Sequence, residues 1–315
     1  MNYVCTEKMA IDWTKFRLDS LGNYDSKQLP PKLSIPMMPH ALMAFIKKSE
    51  DPDADAAELG KIIEADAGLT VELLKHLNSS SMALRQKVAS CQRAIAVLGF
   101  QRCKSFLLAA ALKRALVNSK KSALDQQLFS RSNLERAYFA QQVAKIFEAD
   151  EELAFSAAVL SDCVLPCLMA EYPGEYATYL SMPPKGKPVL TEFEQKALGW
   201  DHARSMGMIM LGWNFPDDLI CCVLHHHSAY QLLSRDDLRA SEATAVAVAS
   251  LIPDQLQQMP LGPAILMKLH TIVPQFELQR ITAEVDARIA ADLPAAASAL
   301  PPLHDRIEAS VKMLA

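Results

Sequence analysis

The sequence predicts an all-α protein, a two-lobed helical bundle, and three observations support that fold class. Half of the 315 residues are hydrophobic and 22% are charged, which is typical of a globular chain. Only 10 glycines occur and β-branched residues rarely run together, whereas the helix formers alanine and leucine are abundant. Apolar residues recur at steps of three and four, the spacing of one buried helix face. The length suffices for two domains or for one domain with two lobes.

The N-terminal part of the chain predicts an arm followed by a compact helical lobe. Residues 1–28 form a peripheral arm with a short helix before a turn-rich joint. A proline-rich lead-in then reaches a helix that carries Leu42 in its apolar row. Several short helices follow, and the last of them runs from Gln101 to about Val117. Together these helices form the first lobe, over residues 29–117.

The second lobe is predicted to cover residues 130–290, after a charged and polar bridge at residues 118–130. An apolar helix begins at Glu151 and is interrupted by Pro166, which lacks an N–H and therefore bends or ends it. Further helices complete the bundle. Residues 291–315 form an alanine- and proline-rich linker, which we expect to be a poorly packed joint, and a C-terminal helix.

Charge and cysteine content narrow the possible functions and the location. The net charge is −4, so nothing draws the whole chain towards nucleic acid or an anionic lipid surface. Seven cysteines is an odd number, which suits unpaired thiols in a reducing cytoplasm. The N-terminus has no signal-peptide pattern, and no run of about 18 uninterrupted apolar residues occurs. We therefore expect a cytoplasmic protein that neither inserts into a membrane nor uses nucleic acid as its main partner.

Polar residues able to do chemistry are concentrated in the stretch from Glu192 to His227. Apolar residues at helical spacing place His202 inside one helix of this stretch. A second helix begins near Pro216, where a proline and two acids suit a helix N-terminus, and it ends in three consecutive histidines. Because a helix C-terminus favours protonated imidazole, the run by itself indicates a capped, partly solvated helix end before it indicates a metal site.

Four short motifs in the first lobe carry a family resemblance. In order along the chain they are Asp51-Pro52-Asp53, Asp66 before Leu69-Thr70, Asn78-Ser79, and Ala94-Ile95 before Leu98-Gly99. Their order and spacing resemble the start of the HDOD domain, the output-module relative of the HD phosphohydrolases in bacterial signalling proteins. Ala67 departs from the pattern, which has a proline there. The resemblance covers roughly residues 29–290 and implies one HDOD domain whose second lobe is an HD-like bundle.

The same resemblance implies that this chain lacks several metal ligands of an HD hydrolase. Such an enzyme needs histidines and aspartates that converge on divalent ions from different helices. Ser132 stands at the position of the first histidine, Ser161 at the histidine of the His-Asp pair and, in a looser alignment, Ser250 at the last aspartate. Glu192 keeps the acid that precedes the Gly-Trp-Asp-His run. Four candidate ligands remain, namely Asp162, His202, His226 and His227.

We expect these four side chains to converge in one pocket of the second lobe as a vestigial site, with no catalytic residue, no cofactor and no stoichiometric metal. Replacing imidazole or carboxylate by a neutral hydroxyl removes a bond to the ion and leaves its charge less compensated. Three states of the cluster stay open: a buried hydrogen-bonded network that is mostly neutral at pH 7, one adventitious or regulatory metal, and residual hydrolysis.

Two other sets of potential ligands are predicted to be structural. Cys163 and Cys167 lie one helical turn apart, and Cys221-Cys222 precede the histidines by a turn. Their spacing matches no zinc framework, so we expect these thiols to fill the core as small hydrophobes. His76 lies off the apolar stripe of its helix and is predicted to be exposed.

The resulting functional prediction is a non-catalytic signal-transduction module of the bacterial cytoplasm that acts by binding a partner protein of a signalling pathway. The alternative is a metal-dependent phosphohydrolase, similar to a phosphodiesterase, with a reduced ligand set. A third hypothesis, binding to nucleic acid through a local basic face, is the least favoured because of the net negative charge.

Overall fold

The computed structural model is helical throughout the part of the chain that it describes. The described residues are 11–31, 33, 38–49, 51, 53–79, 86–117, 125–292 and 300–313. Every regular element within these ranges is a helix, which confirms the predicted all-α class. Some sequence predictions fall outside the described residues: the prolines at 36 and 52, the start of the bridge between the lobes and most of the alanine-rich linker.

The first lobe consists of short helices that pack on one another. Its helices, with the one that precedes them, are α1 (Trp13–Leu21), α2 (His40–Ser49), α3 (Ala56–Glu64), α4 (Ala67–Leu77), α5 (Cys91–Leu98) and α6 (Phe100–Val117). Their N-termini are set by residues that the sequence marks as caps. The side chains of Asp55, Asp66 and Ser90 each accept a hydrogen bond from the backbone N–H three residues later.

The second lobe packs α7, α8, α13 and α15 together at its centre. Its helices are α7 (Gln126–Ile146), α8 (Glu151–Leu160), α9 (Leu165–Glu171), α10 (Pro173–Ser181), α11 (Leu190–Leu198), α12 (His202–Gly212), α13 (Asp217–Leu224), α14 (Ala229–Leu233), α15 (Glu242–Ala249), α16 (Gly262–Lys268), α17 (Leu278–Asp292) and α18 (Leu303–Lys312). Pro166 lies in the first turn of α9, so the predicted interruption separates α8 from α9.

The two lobes share their buried hydrophobic residues, because α6 packs against α8 and α9 and one cluster of buried side chains extends through both. His76 lies at this junction, where the prediction that it is exposed proves wrong. Its side chain is buried, its ring stacks on Phe106 at 4.3 Å between centroids, and its Nε2 lies 3.2 Å from Oε2 of Glu152. The second lobe covers this face of α4, which helical periodicity within the first lobe alone cannot reveal.

Both ends of the described chain pack on the second lobe. In α1, Arg17 donates from Nε to Oδ1 of Asp217 at 2.9 Å, and Leu21 is buried. In α18, Leu303 and Ile307 are fully buried, and α18 packs on α16 and α17. The structure therefore corrects the expectation of a peripheral arm, because α1 packs against α12 and α13 and buries Leu21. The C-terminal helix is α18, and the linker that the sequence predicts to be poorly packed lies mostly outside the described residues.

The stretch Glu151–Glu171, which contains α8 and α9, has the length and composition of a membrane span, with a mean hydropathy of 1.9 over its most apolar window. In the folded chain 83% of that window is buried. Its apolar character therefore matches its place in the core of the second lobe.

Candidate functional site

The structure brings the four candidate ligands together in the second lobe. Asp162 lies in the turn after α8, His202 is the first residue of α12, and His226 and His227 lie in the turn after α13. One ligand atom from each side chain can be chosen so that all four atoms lie within 4.8 Å of one another. Three segments that are distant in sequence therefore meet at one point.

The three imidazoles face one another through their Nε2 atoms. Nε2 of His202 lies 3.2 Å from Nε2 of His226 and 3.0 Å from Nε2 of His227. Oδ1 of Asp162 lies 3.6 Å from Nε2 of His202 and 3.4 Å from Nε2 of His226. Asp162, His202 and His226 have exposed fractions of 0%, whereas His227 is half-buried. The histidine run is therefore largely a buried cluster rather than the partly solvated helix end that the run alone indicates.

The outward-facing nitrogens of two imidazoles are held by acceptors. Nδ1 of His202 lies 2.7 Å from Oε2 of Glu194, and Nδ1 of His226 lies 2.6 Å from the carbonyl oxygen of Val223. A carboxylate and a carbonyl can only accept, so each Nδ1 carries the proton. Each Nε2, unless it is also protonated, then turns a lone pair into the cluster. This is the arrangement that orients metal-binding histidines in proteins.

Glu194 rather than Glu192 is the acid that serves His202. Glu192 is exposed, whereas Glu194 has an exposed fraction of 0% and also accepts hydrogen bonds from the backbone N–H of His202 at 2.9 Å and from the Tyr176 hydroxyl at 2.6 Å. Both acids lie on α11, and only the second lies on the face that turns towards α12. Glu192, the acid that the resemblance singled out, therefore lies on the same helix as Glu194 but outside the site.

A second polar group, on the other side of Asp162, was missed by sequence reasoning. Arg136 on α7 donates from Nη1 to Oδ2 of Asp162 and from Nη2 to Oδ2 of Asp254 at 2.7 Å. Gln258 donates from Nε2 to the same Asp162 oxygen at 2.7 Å. The hydroxyl of Ser161, the residue before Asp162, donates instead to the carbonyl oxygen of Ala157 in its own helix.

The missed residues left a weak signal in the sequence. Arg136 follows Ser132 by one helical turn inside an apolar stretch, where an arginine requires a buried acid. Asp254 follows Ser250 by four residues and is the buried acid of that segment, whereas the Ser250 hydroxyl bonds the carbonyl of Val246. The looser alignment placed the last aspartate of the HD pattern at Ser250, whereas the acid that enters the site is Asp254.

The buried charges set the protonation of the cluster. Burial by itself lowers the pKa of His202, but the carboxylates of Glu194 and Asp162 outweigh burial and raise that pKa to about 9. Burial lowers the pKa of His226, and burial together with the neighbouring imidazoles holds the pKa of His227 well below its ordinary value. These shifts favour neutral His226 and His227 and a protonated His202 at neutral pH.

The donor set of one carboxylate oxygen and three imidazole nitrogens suits Zn²⁺ and similar divalent transition-metal ions. The group of potential ligands found within the described ranges contains no thiolate. Cys163, Cys167, Cys221 and Cys222 are buried, as predicted for residues that fill the core. Burial raises the pKa of Cys221 to about 12, which keeps that sulfur protonated at neutral pH.

Comparison with models of protein families shows which family the chain belongs to. A family model described as the HDOD domain matches residues 35–229, which is more than half of the chain. The chain belongs to the HDOD family. This match confirms the resemblance that the first-lobe motifs carry, and all four residues of the histidine cluster lie inside the matched region of this HDOD protein.

Matches to solved structures with this fold cover nearly the whole chain. An HDOD domain protein of unknown function from Geobacter sulfurreducens is 16% identical with a TM-score of 0.56, and the match covers 96% of both chains. A Shewanella amazonensis protein provisionally described as a phosphohydrolase is 18% identical with a TM-score of 0.56, covering 96% of this chain and 98% of the other. At these identities the likeness establishes the fold alone.

A relative by sequence is an uncharacterised protein of Treponema pallidum (strain Nichols). It is 23% identical over an alignment of 205 residues, and the match covers 62% of this HDOD protein and 38% of the relative. The match thus spans little more than a third of that relative's length.

Proposed function

We propose that this HDOD protein is a non-catalytic signal-transduction module of the bacterial cytoplasm that acts by binding a partner protein. The observation that carries the proposal is the guanidinium of Arg136, which donates to both Asp162 and Asp254. A hydrolase of the HD type needs divalent ions beside such carboxylates to polarise a phosphate and to activate water. Here a fixed organic cation that carries no water already binds one oxygen of each carboxylate, Oδ2 of Asp162 and Oδ2 of Asp254.

Burial supports the same conclusion. The side chains of Arg136 and Asp162 are 3% and 1% exposed, and His202 and His226 are fully buried. A phosphoester that reached the cluster would have to displace packed side chains and break the arginine pair. Ser161, which stands beside Asp162, also bonds its own helix and offers no ligand in place of the missing histidine.

A signalling role draws support from one structural neighbour. A Marinobacter aquaeolei protein provisionally described as a signal transduction protein is 17% identical with a TM-score of 0.57, and the match covers 96% of this chain and 65% of that one. The likeness is one of fold, so the role assigned to this HDOD protein, its location and its protein partner belong to the proposal.

The catalytic half of the proposal is tested by assaying purified protein with added Mn²⁺ or Fe²⁺ on bis(p-nitrophenyl) phosphate and on a cyclic dinucleotide. We expect the wild type and His202→Ala to give the same background rate, because no hydrolytic centre is lost. Metal-dependent turnover by the wild type that His202→Ala abolishes would overturn the proposal and establish the phosphohydrolase alternative.

The binding half is tested by affinity capture from the source cell, mass spectrometry, and calorimetric titration with the purified partner. We expect a saturable complex with one protein. Salt-sensitive retention on DNA without such a complex would contradict the proposal in favour of nucleic-acid binding, because phosphate contacts weaken steeply as salt rises.

A further inference from the structure

The histidine cluster is arranged as if a cation should lie at its centre. The acceptors on Nδ1 of His202 and His226 leave the two Nε2 atoms facing each other at 3.2 Å. Oδ1 of Asp162 points at the same place and accepts no hydrogen bond there, although it is buried. These atoms need a positive charge between them, which either a proton on an imidazole or a metal ion that takes its place can supply.

The spacing of the ligand atoms matches a single four-coordinate ion. Bonds of about 2.0–2.1 Å in a tetrahedron separate neighbouring ligand atoms by about 3.4 Å. The separations of Nε2 of His202 from the other two imidazole nitrogens and from Oδ1 of Asp162 are 3.2, 3.0 and 3.6 Å. The separation between Oδ1 of Asp162 and Nε2 of His226 is 3.4 Å. These four of the six separations are close to tetrahedral, and the other two, both of which involve His227, are no longer than 4.8 Å.

We propose that Asp162, through Oδ1, and His202, His226 and His227, through Nε2, bind one Zn²⁺ or similar divalent transition-metal ion in a closed site that stabilises the second lobe. The ion joins the turn after α8, the start of α12 and the turn after α13. We expect the ion to enter beside His227, because it is the one residue of the four that is not fully buried.

The other face of Asp162 explains why one ion binds rather than two. Oδ2 already accepts hydrogen bonds from Arg136 and Gln258, so only Oδ1 is free to ligate. Four protein ligands fill a tetrahedral shell, and closed shells are typical of structural zinc, whereas catalytic zinc keeps a position for water. The inference departs from the metal-free state expected on the sequence. It is compatible with the proposed non-catalytic function, although it does not require it.

The experiment uses the full chain. Protein purified without chelators is analysed for metals, and chelated protein is titrated with Co²⁺ while visible absorption is recorded. We expect about one ion per chain and the intense absorption bands of four-coordinate Co²⁺, which saturate at one equivalent. Absent stoichiometric uptake, or the weak bands of six-coordinate Co²⁺, would overturn the proposal. Neither readout involves a substrate, so the result is separate from the hydrolysis assay.

Matched variants locate the ion. His226→Gln and Asp162→Asn should abolish stoichiometric Co²⁺ binding. His225→Gln should retain it, because His225 belongs to the same histidine run but its Nε2 lies 3.0 Å from the Ser20 hydroxyl. Equal loss in all three variants, or retention in all three, would contradict the assignment. If the ligand variants do not fold, the stoichiometry and absorption of wild-type protein decide the matter alone.

Discussion

Each lobe of this HDOD protein contains an arginine–aspartate pair, and the two pairs lie in opposite environments. In the first lobe, Arg114 on α6 reaches Asp66 at the start of α4, and the side chains are 37% and 22% exposed. In the second lobe, Arg136 and Asp162 are 3% and 1% exposed. Water screens the charges of the first pair, so that pair contributes little to stability. In the second pair each charge must be compensated by its partner, because water cannot reach it.

The largest expected effect comes from removing the buried cation. Arg136→Met leaves Asp162 and Asp254 without their guanidinium, and breaking a buried pair in this way costs about 3–5 kcal/mol of unfolding free energy. Urea denaturation followed by circular dichroism measures the loss. Arg136→Met combined with Asp254→Asn should recover part of the stability, because one uncompensated carboxylate is neutralised. A loss below about 1 kcal/mol would mean that the pair is solvated like the surface pair.

The ion proposed at Oδ1, on the other face of Asp162, should also raise the free energy of unfolding of the chain. At a free Zn²⁺ concentration of about 100 times the dissociation constant, binding stabilises the folded chain by about 2.7 kcal/mol. His226→Gln should lose this increment, whereas His225→Gln should keep it. Thermal denaturation with Zn²⁺ and with a chelator provides the measurement. A Zn²⁺-dependent rise in Tm that persists in His226→Gln would refute the prediction.

A smaller effect is expected from the acid that orients His202. Glu194→Gln keeps the shape of the side chain but removes the charge behind Nδ1, and such changes weaken metal binding by about 10–100-fold. Co²⁺ titration gives the affinity. Glu192→Gln is the matched control on the same helix, because Glu192 is exposed and outside the site. Equal affinities for the two variants would show that Glu194 does not orient the ligand.

The smallest effect belongs to the surface pair and depends on pH. The Arg114 guanidinium lowers the pKa of Asp66 below its ordinary value of 3.8. A lowered folded-state pKa contributes stability above the unfolded value, and that stability is lost as the pH falls through the folded pKa. Asp66→Asn retains a helix cap but not the charge, so at pH 7 it should cost less than about 1 kcal/mol.

The pH dependence of this variant separates charge from capping. In strong acid Asp66 is protonated and therefore as neutral as the asparagine that replaces it. The stability difference between wild type and Asp66→Asn should therefore shrink as the pH falls below 3.8. Urea denaturation across that range measures it. A difference that stays constant with pH would assign the effect to the cap alone.

The sequence by itself determined the helical class, most helix positions and the identity of the four clustered side chains. Periodic apolar residues and local caps specify helices because both act within a few residues of the chain. Pro166 separates α8 from α9 for the same local reason. The family resemblance then selected Asp162 and the histidines, which local physics alone could not have chosen among the polar residues.

Only the tertiary structure decided which polar groups meet. Arg136 and Asp254 are 118 residues apart, and their pairing depends on how α7 packs against the segment after α15. The three consecutive histidines also have different partners. His225 stacks on Phe16 of α1, whereas the next two residues turn into the cluster. A chain's sequence shows that such side chains need partners, but helix packing determines which partners lie within reach, because hydrogen bonds and ion pairs act only over a few ångströms.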